Sequence, residues 1–101
     1  MESKLQKKCV KLAKLNDILV RKVHVEGRRG WPDLLLIFPI SGKTVYVEMK
    51  NPNGKGALAK LQNRELGRIR KQNASAYVCQ SYARFKDILA THLTAGLIEG
   101  D

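Results

Sequence analysis

Leu5, Cys9, Leu12 and Leu19 recur at helical spacing within residues 2–19, with Lys4, Lys7, Lys8, Lys11 and Lys14 on the other faces. This pattern predicts an amphipathic helix with a basic exterior. From Val20 to Val25 valines alternate with Arg, Lys and His, the period of a strand, and Gly27-Arg28-Arg29-Gly30 then turns the chain. Leu34 to Phe38 is apolar without a break and reads as a strand buried on both faces. "PISGK", residues 39–43, predicts a hairpin loop into a third strand, Thr44 to Lys50, and "NPNGKG", residues 51–56, breaks the sheet. Ala57 to Lys71 predicts a second helix, with Leu58, Leu61, Glu65 and Ile69 along one side and Lys60, Arg64, Arg68 and Lys71 along another. A strand over Ala76 to Gln80 and a helix over Ala83 to Leu93, with Phe85, Ile88 and Leu89 facing the core, complete the order αβββαβα of an α/β class.

Four charged residues sit against this pattern. Glu2 falls on the apolar face of the first helix, at the spacing of Leu5 and Cys9. Asp33 opens the apolar second strand, and Glu48 and Lys50 share one face of the third, with Met49 on the other. A hairpin turning around Ile40-Ser41 places Asp33 opposite Glu48, so two carboxylates and an ammonium converge at one sheet end. Taken singly, Asp33 also suits a turn cap after Pro32, and Glu48 and Lys50 suit an exposed strand pair. Acids at the rim of a buried strand need a reason, and a bound Mg²⁺ supplies one, because hard oxygen ligands that repel each other as anions are held together by a divalent cation. Lys50 would orient a water or stabilise charge on a phosphoryl group.

Charge narrows the partner. With 19 Lys+Arg against 9 Asp+Glu, a formal +10 and a pI near 10, the chain favours a polyanion, of which nucleic acid is the commonest. At 101 residues it predicts one domain. No apolar run has the length of a signal peptide core or a membrane span, and the two cysteines, Cys9 and Cys79, form neither a disulfide framework nor a thiolate zinc motif. The expectation is a soluble, intracellular protein with no membrane partner.

"PD" at 32–33, the fifteen residues from Asp33 to Glu48, and "EMK" at 48–50 resemble the signature of the PD-(D/E)XK nuclease superfamily. Within it, "ES" at 2–3, "GRRGWPD" at 27–33, "VEMK" at 47–50 and Gln62 on the next helix resemble the VRR-NUC family. That resemblance implies a restriction-endonuclease-like core with a mixed four-stranded sheet flanked by helices. It also implies hydrolysis of DNA with Mg²⁺ or Mn²⁺, the metal held by Asp33, Glu48 and the Met49 carbonyl. Lys50 would assist the nucleophile, and Glu2 and Gln62 would complete the catalytic set.

Arg28, Arg29 and Lys55 flank the acids and Lys60, Arg64 and Arg68 extend along the second helix, a track suited to a phosphate backbone, although lysine and arginine at helical spacing are more often only solvated surface. Trp31 either fills core area or stacks on a base. "NGKG", residues 53–56, lacks the length and the Ser/Thr of a Walker motif, and His24 and His92 have no metal-binding spacing. Cys9 and Cys79 read as core.

Stand-alone members of the family resemble junction-resolving enzymes, which implies a homodimer cutting branched DNA such as Holliday junctions, with Leu93 to Ile98 and the open side of the hairpin as candidate interfaces. The alternatives are a non-catalytic module that binds DNA by its structure and a nuclease acting on ordinary duplex DNA.

Overall fold

The computed structural model describes residues 3–27, 30–50, 58–98 and 100. Helix α1 spans Lys4–Leu15, strand β1 Leu19–Lys22, β2 Leu34–Ile37 and β3 Thr44–Met49; α2 follows over Leu58–Lys71, β4 over Ser75–Cys79 and α3 over Tyr82–His92. The order is the one the pattern predicts. The four strands form one sheet in the order β1-β2-β3-β4, antiparallel across the first two pairings and parallel between β3 and β4. A parallel pair needs a crossover, and α2 supplies it.

The two sheet faces are covered differently. On one, Val20, Leu34, Leu36, Val45, Val47 and Cys79 pack with Cys9, Leu12 and Ala13 of α1 and Phe85, Ile88 and Leu89 of α3. On the other, Leu66 and Ile69 of α2 meet Ala76, with Trp31, Tyr46 and Val78 around them. Directly paired residues share a face, so Leu19, Leu35 and Ile37 lie on the α2 side of the sheet. There α2 packs on β4 and, among the described residues, no helix covers the β1-β2 end. Leu34 and Leu36 are therefore buried while Leu35 and Ile37 are only half-buried, which corrects the expectation of a strand buried on both faces.

Several boundaries also move. Ser3 caps α1 by accepting a hydrogen bond from the Gln6 amide at 3.0 Å, and the helix ends at Leu15 because Asn16 closes it and Asp17 takes a left-handed φ of 61°. Leu19 is consequently not on the apolar stripe of a helix running to residue 19; it begins β1 and is 44% exposed. The first strand stops at Lys22, short of Val25, although the Val23 amide still donates to the Asp33 carbonyl at 2.8 Å. Asn16 is buried and gathers the tail: its Nδ2 donates to the Leu12 and Ile98 carbonyls and its Oδ1 accepts from the Ile98 amide. His92 donates to or accepts from the Tyr77 hydroxyl at 2.7 Å and packs on Phe38, a strand-packing role. Cys9 and Cys79 are buried free thiols that meet between α1 and β4, and that contact together with burial holds Cys9 protonated. Among the described residues no helix is long and apolar enough to cross a membrane.

Two glycines in left-handed conformations differ in what surrounds them. At Gly30, φ +87°, a Cβ would lie 2.7 Å from the Leu61 carbonyl carbon and 2.8 Å from the Gln62 amide nitrogen, so the loop before β2 rests on the backbone of α2. At Gly42, φ +70°, in the hairpin loop, nothing stands within 4 Å. Gly42→Ala is expected to cost about 1–2 kcal/mol, the left-handed penalty alone. Gly30→Ala should cost clearly more, since loop and helix must also separate, and urea unfolding of the two variants measures the difference.

Candidate active site

The hairpin register pairs Leu34 with Val47 and Ile37 with Thr44, so the turn centres on Ile40-Ser41 and the next step brings Asp33 level with Glu48. Asp33 is fixed there from both sides. Its carbonyl accepts from Val23, and its Oδ1 accepts from the Met49 amide at 2.9 Å. Pro32 before it is buried and holds the chain extended.

Glu48 is only 5% exposed and lies on the α2 face with Val78 beside it in the parallel pair. Its Oε2 accepts a 2.6 Å hydrogen bond from Nε2 of Gln62, one of the inward positions of α2. Lys50 follows the end of β3, where its amide donates to the Cys79 carbonyl at 2.8 Å. Its ammonium is near enough to favour the ionised form of Glu48. The structure thus brings together Asp33, Glu48, Lys50 and Gln62, four of the residues singled out in the sequence. Glu2, Arg28, Arg29 and Lys55, like the 51–56 loop, Ala57 and the side chain of Leu58, lie outside the described residues.

Electrostatics set this cluster apart. Burial, and next the neighbouring Asp33 charge, push the Glu48 carboxyl from 4.5 up to about 8, against the opposing pull of Lys50, the Asp33 amide and Gln62. Burial likewise raises Asp33, offset in part by the Met49 amide. Adjacent desolvated carboxylates whose ionised forms oppose one another suit a proton or a cation held between them. Their oxygens fit a hard divalent ion such as Mg²⁺ or Mn²⁺. Among the described residues no group of three or more His, Cys, Asp or Glu surrounds a common point, so Asp33 and Glu48 are the acidic pair available there.

The basic track is mixed. Lys60 and Arg64 are exposed on α2, whereas Arg68 is paired with Oε2 of Glu65 at 3.1 Å. Glu65 is a residue whose weight the sequence reading left unassigned. It is 3% exposed, three positions after Gln62 on the same side of the helix. An acid at an apolar stripe position was the available signal. Tyr46 was also passed over, although strand alternation puts it on the Glu48 face, where it meets Trp31 edge to face at 5.8 Å between ring centroids.

The family model for the VRR-NUC domain matches residues 3–83. The chain belongs to the VRR-NUC domain family. A solved structure named VRR_NUC domain is similar to it, with 38% sequence identity, a TM-score of 0.74, and coverage of 90% of this chain and 95% of that one. No curated protein matches. The VRR-NUC domain is a nuclease domain, and the restriction-endonuclease-like architecture expected from the sequence is the one observed. In this VRR-NUC chain the Asp33–Glu48 pair lies within the matched region, at the end of the two central strands, near where the loop at Gly30 rests on α2.

The raised Glu48 carboxyl makes stability pH-dependent. Between about 4.5, its unfolded value, and about 8, its folded one, the folded chain binds more protons than the unfolded chain. Without metal, the Glu48 contribution is therefore present below this window and lost as pH rises through it. Denaturant unfolding in EDTA at about pH 5.5 and about pH 8.5 should show wild type losing stability relative to Glu48→Gln. Parallel pH profiles for the two proteins would refute the assignment.

Proposed function

We propose that this VRR-NUC domain is a divalent-metal-dependent DNA endonuclease with selectivity for branched DNA. The observation that carries the reading is the buried Glu48 carboxyl, raised to about 8 beside Asp33 and held at 2.6 Å by Gln62. Asp33, Glu48 and the Met49 carbonyl would hold Mg²⁺ or Mn²⁺, which when bound supplies a Lewis acid for the phosphodiester and an acidified water.

The chain's own residues do the positioning. Hydrogen bonds from the Met49 amide and Gln62 fix the two carboxylates. Lys50, on the Glu48 side of the strand end, orients the attacking water and stabilises negative charge that builds on the phosphoryl oxygens. Glu2 would contribute a further acid. Arg28, Arg29 and Lys55 would grip phosphates, and Lys60, Arg64 and Arg68 continue the path along α2, consistent with the net charge of +10.

Symmetric incision of a four-way junction needs two related sites, so the acting form is a homodimer. The uncovered β1-β2 end of the sheet, with exposed Leu19 and half-buried Leu35 and Ile37, supports this by offering apolar surface for a second copy.

Incubation with linear duplex and with four-way junction DNA, in Mg²⁺, Mn²⁺ or EDTA, tests the reading. Cleavage of the junction is expected only with metal. Asp33→Ala and Lys50→Ala should slow it by roughly 10²- to 10⁴-fold. Binding without metal-dependent cleavage would remove the enzymatic reading, and equal cutting of linear and branched DNA would remove the selectivity. Light scattering should return twice the chain mass of 11.4 kDa, and a monomer under assay conditions would end the dimer argument.

A further inference from the structure

On the α2 side of the sheet, beside the carboxylates, Trp31, Tyr46, Arg68, Ile69, Gln72 and Ala74 line a pocket of about 220 Å³. We propose that this pocket receives one unpaired nucleobase of the DNA strand whose phosphate lies at the Asp33–Glu48 pair. The proposal rests on the nuclease reading above and deepens it by naming what part of the substrate the site selects.

Position comes first. Trp31 precedes Asp33 by two residues, and Tyr46 precedes Glu48 by two on the same face of β3, about 7 Å along the strand. Helix α2 runs over the same part of the sheet in the opposite direction. Gln62 stands at the carboxylate, and Ile69 and Gln72 stand at the pocket, roughly 10–15 Å along the helix axis. A base attached to a phosphate at the acids, or to the next one, reaches this distance.

Chemistry comes second. The indole Nε1 of Trp31 is buried and has no hydrogen-bond partner among the described residues. A buried donor left unsatisfied costs about 1–3 kcal/mol, so an acceptor in the pocket is favoured once the Trp31 ring turns to present its N–H there. A nucleobase offers carbonyl and ring-nitrogen acceptors on a planar, polarisable body. The rest of the wall suits such a body: two aromatic rings, an isoleucine, and the Arg68 guanidinium at the rim. The volume is below the 300–1,000 Å³ typical of pockets for drug-sized ligands and suits a single planar ring system.

The base must be unpaired because a paired one is stacked on both sides and has its hydrogen-bonding edge occupied. Extruding it costs a few kcal/mol, least where the base is already unstacked. Branch points, gaps and bulges present such bases, and a continuous duplex does not. Selection of branched DNA then arises inside one protomer, separately from any pairing of two sites.

Trp31 is the only tryptophan in the chain, so its emission reports on the pocket directly. The test titrates the full chain in EDTA, where hydrolysis is blocked, with fluorescein-labelled DNA carrying a one-nucleotide bulge. The same DNA with an abasic site in the bulge and the fully paired duplex serve as comparisons. Label anisotropy measures binding and Trp31 emission measures occupancy. The expected result is quenching by the bulged DNA alone, with binding 5- to 100-fold tighter than to the abasic form, the range set by base–aromatic stacking of about 1–3 kcal/mol. Ala74→Leu, which fills the pocket and leaves Trp31 in place, should abolish both the quench and the difference between the two DNAs. Trp31→Phe, which keeps the ring and removes the donor, should reduce that difference. Binding of all three DNAs with unchanged emission would overturn the pocket assignment and leave the nuclease reading standing. Failure to bind any DNA in EDTA would overturn the pocket assignment, and failure to bind or cut any with Mg²⁺ would overturn the nuclease reading as well.

Discussion

The structure turns on the burial of a carboxyl group where a sheet should hold an apolar side chain. Glu48 is surrounded by Val78, the Gln62 amide and a second acid, and an isolated ionised carboxylate in that setting would be costly. Its proton is the simplest remedy and a divalent cation the alternative. Everything that positions the site acts on this one group. The hairpin register sets Asp33 across from it, the crossover helix sets Gln62 over it, and Lys50 follows just past the strand end.

The crossover does more than connect two strands. Because β3 and β4 are parallel, α2 must run back across the sheet, and its first turns then pass over the C-terminal end of β3 while its last turns pass over the N-terminal end. One helix thereby serves the carboxylates and the aromatic pocket. The loop at Gly30 locks to the same helix at Leu61 and Gln62, so the segment carrying Trp31 and Asp33 is seated against the segment carrying Gln62 without any intervening side chain. Packing on the other face, through Phe85, Ile88, Leu89 and the two buried thiols, supplies stability and leaves the chemistry alone.

Much of this was legible in the sequence because it depends on periodicity and spacing. Apolar alternation located the strands, the PISGK loop fixed the register, and that register predicted which acids meet. What the sequence could not reveal depends on how much of each face is covered. Leu34 to Phe38 looks the same whether one face or both are sealed, and only the placement of α2 over β4 shows that Leu35 and Ile37 are half-buried. The end of α1 was misjudged because a left-handed Asp17 has no apolar signature, and Leu19 happens to continue the helical spacing. Tyr46 carries no signal of its own in the sequence, because the Trp31 ring that it meets comes from another segment.

The parallel pairing carries a consequence for how this chemistry comes into being. Residues of the β2-β3 hairpin meet over a short stretch of chain, whereas Val45 joins Ser75 across thirty positions, and closing so long a loop is slower. A partly folded chain can hold Asp33 and Glu48 level with each other in the hairpin while both remain in water, where they are ordinary acids. Burial of Glu48 requires β4 and α2 in place as well, and that burial is what raises its proton affinity. The raised carboxyl is thus a property of the complete packing, and the hairpin alone carries the two acids without it.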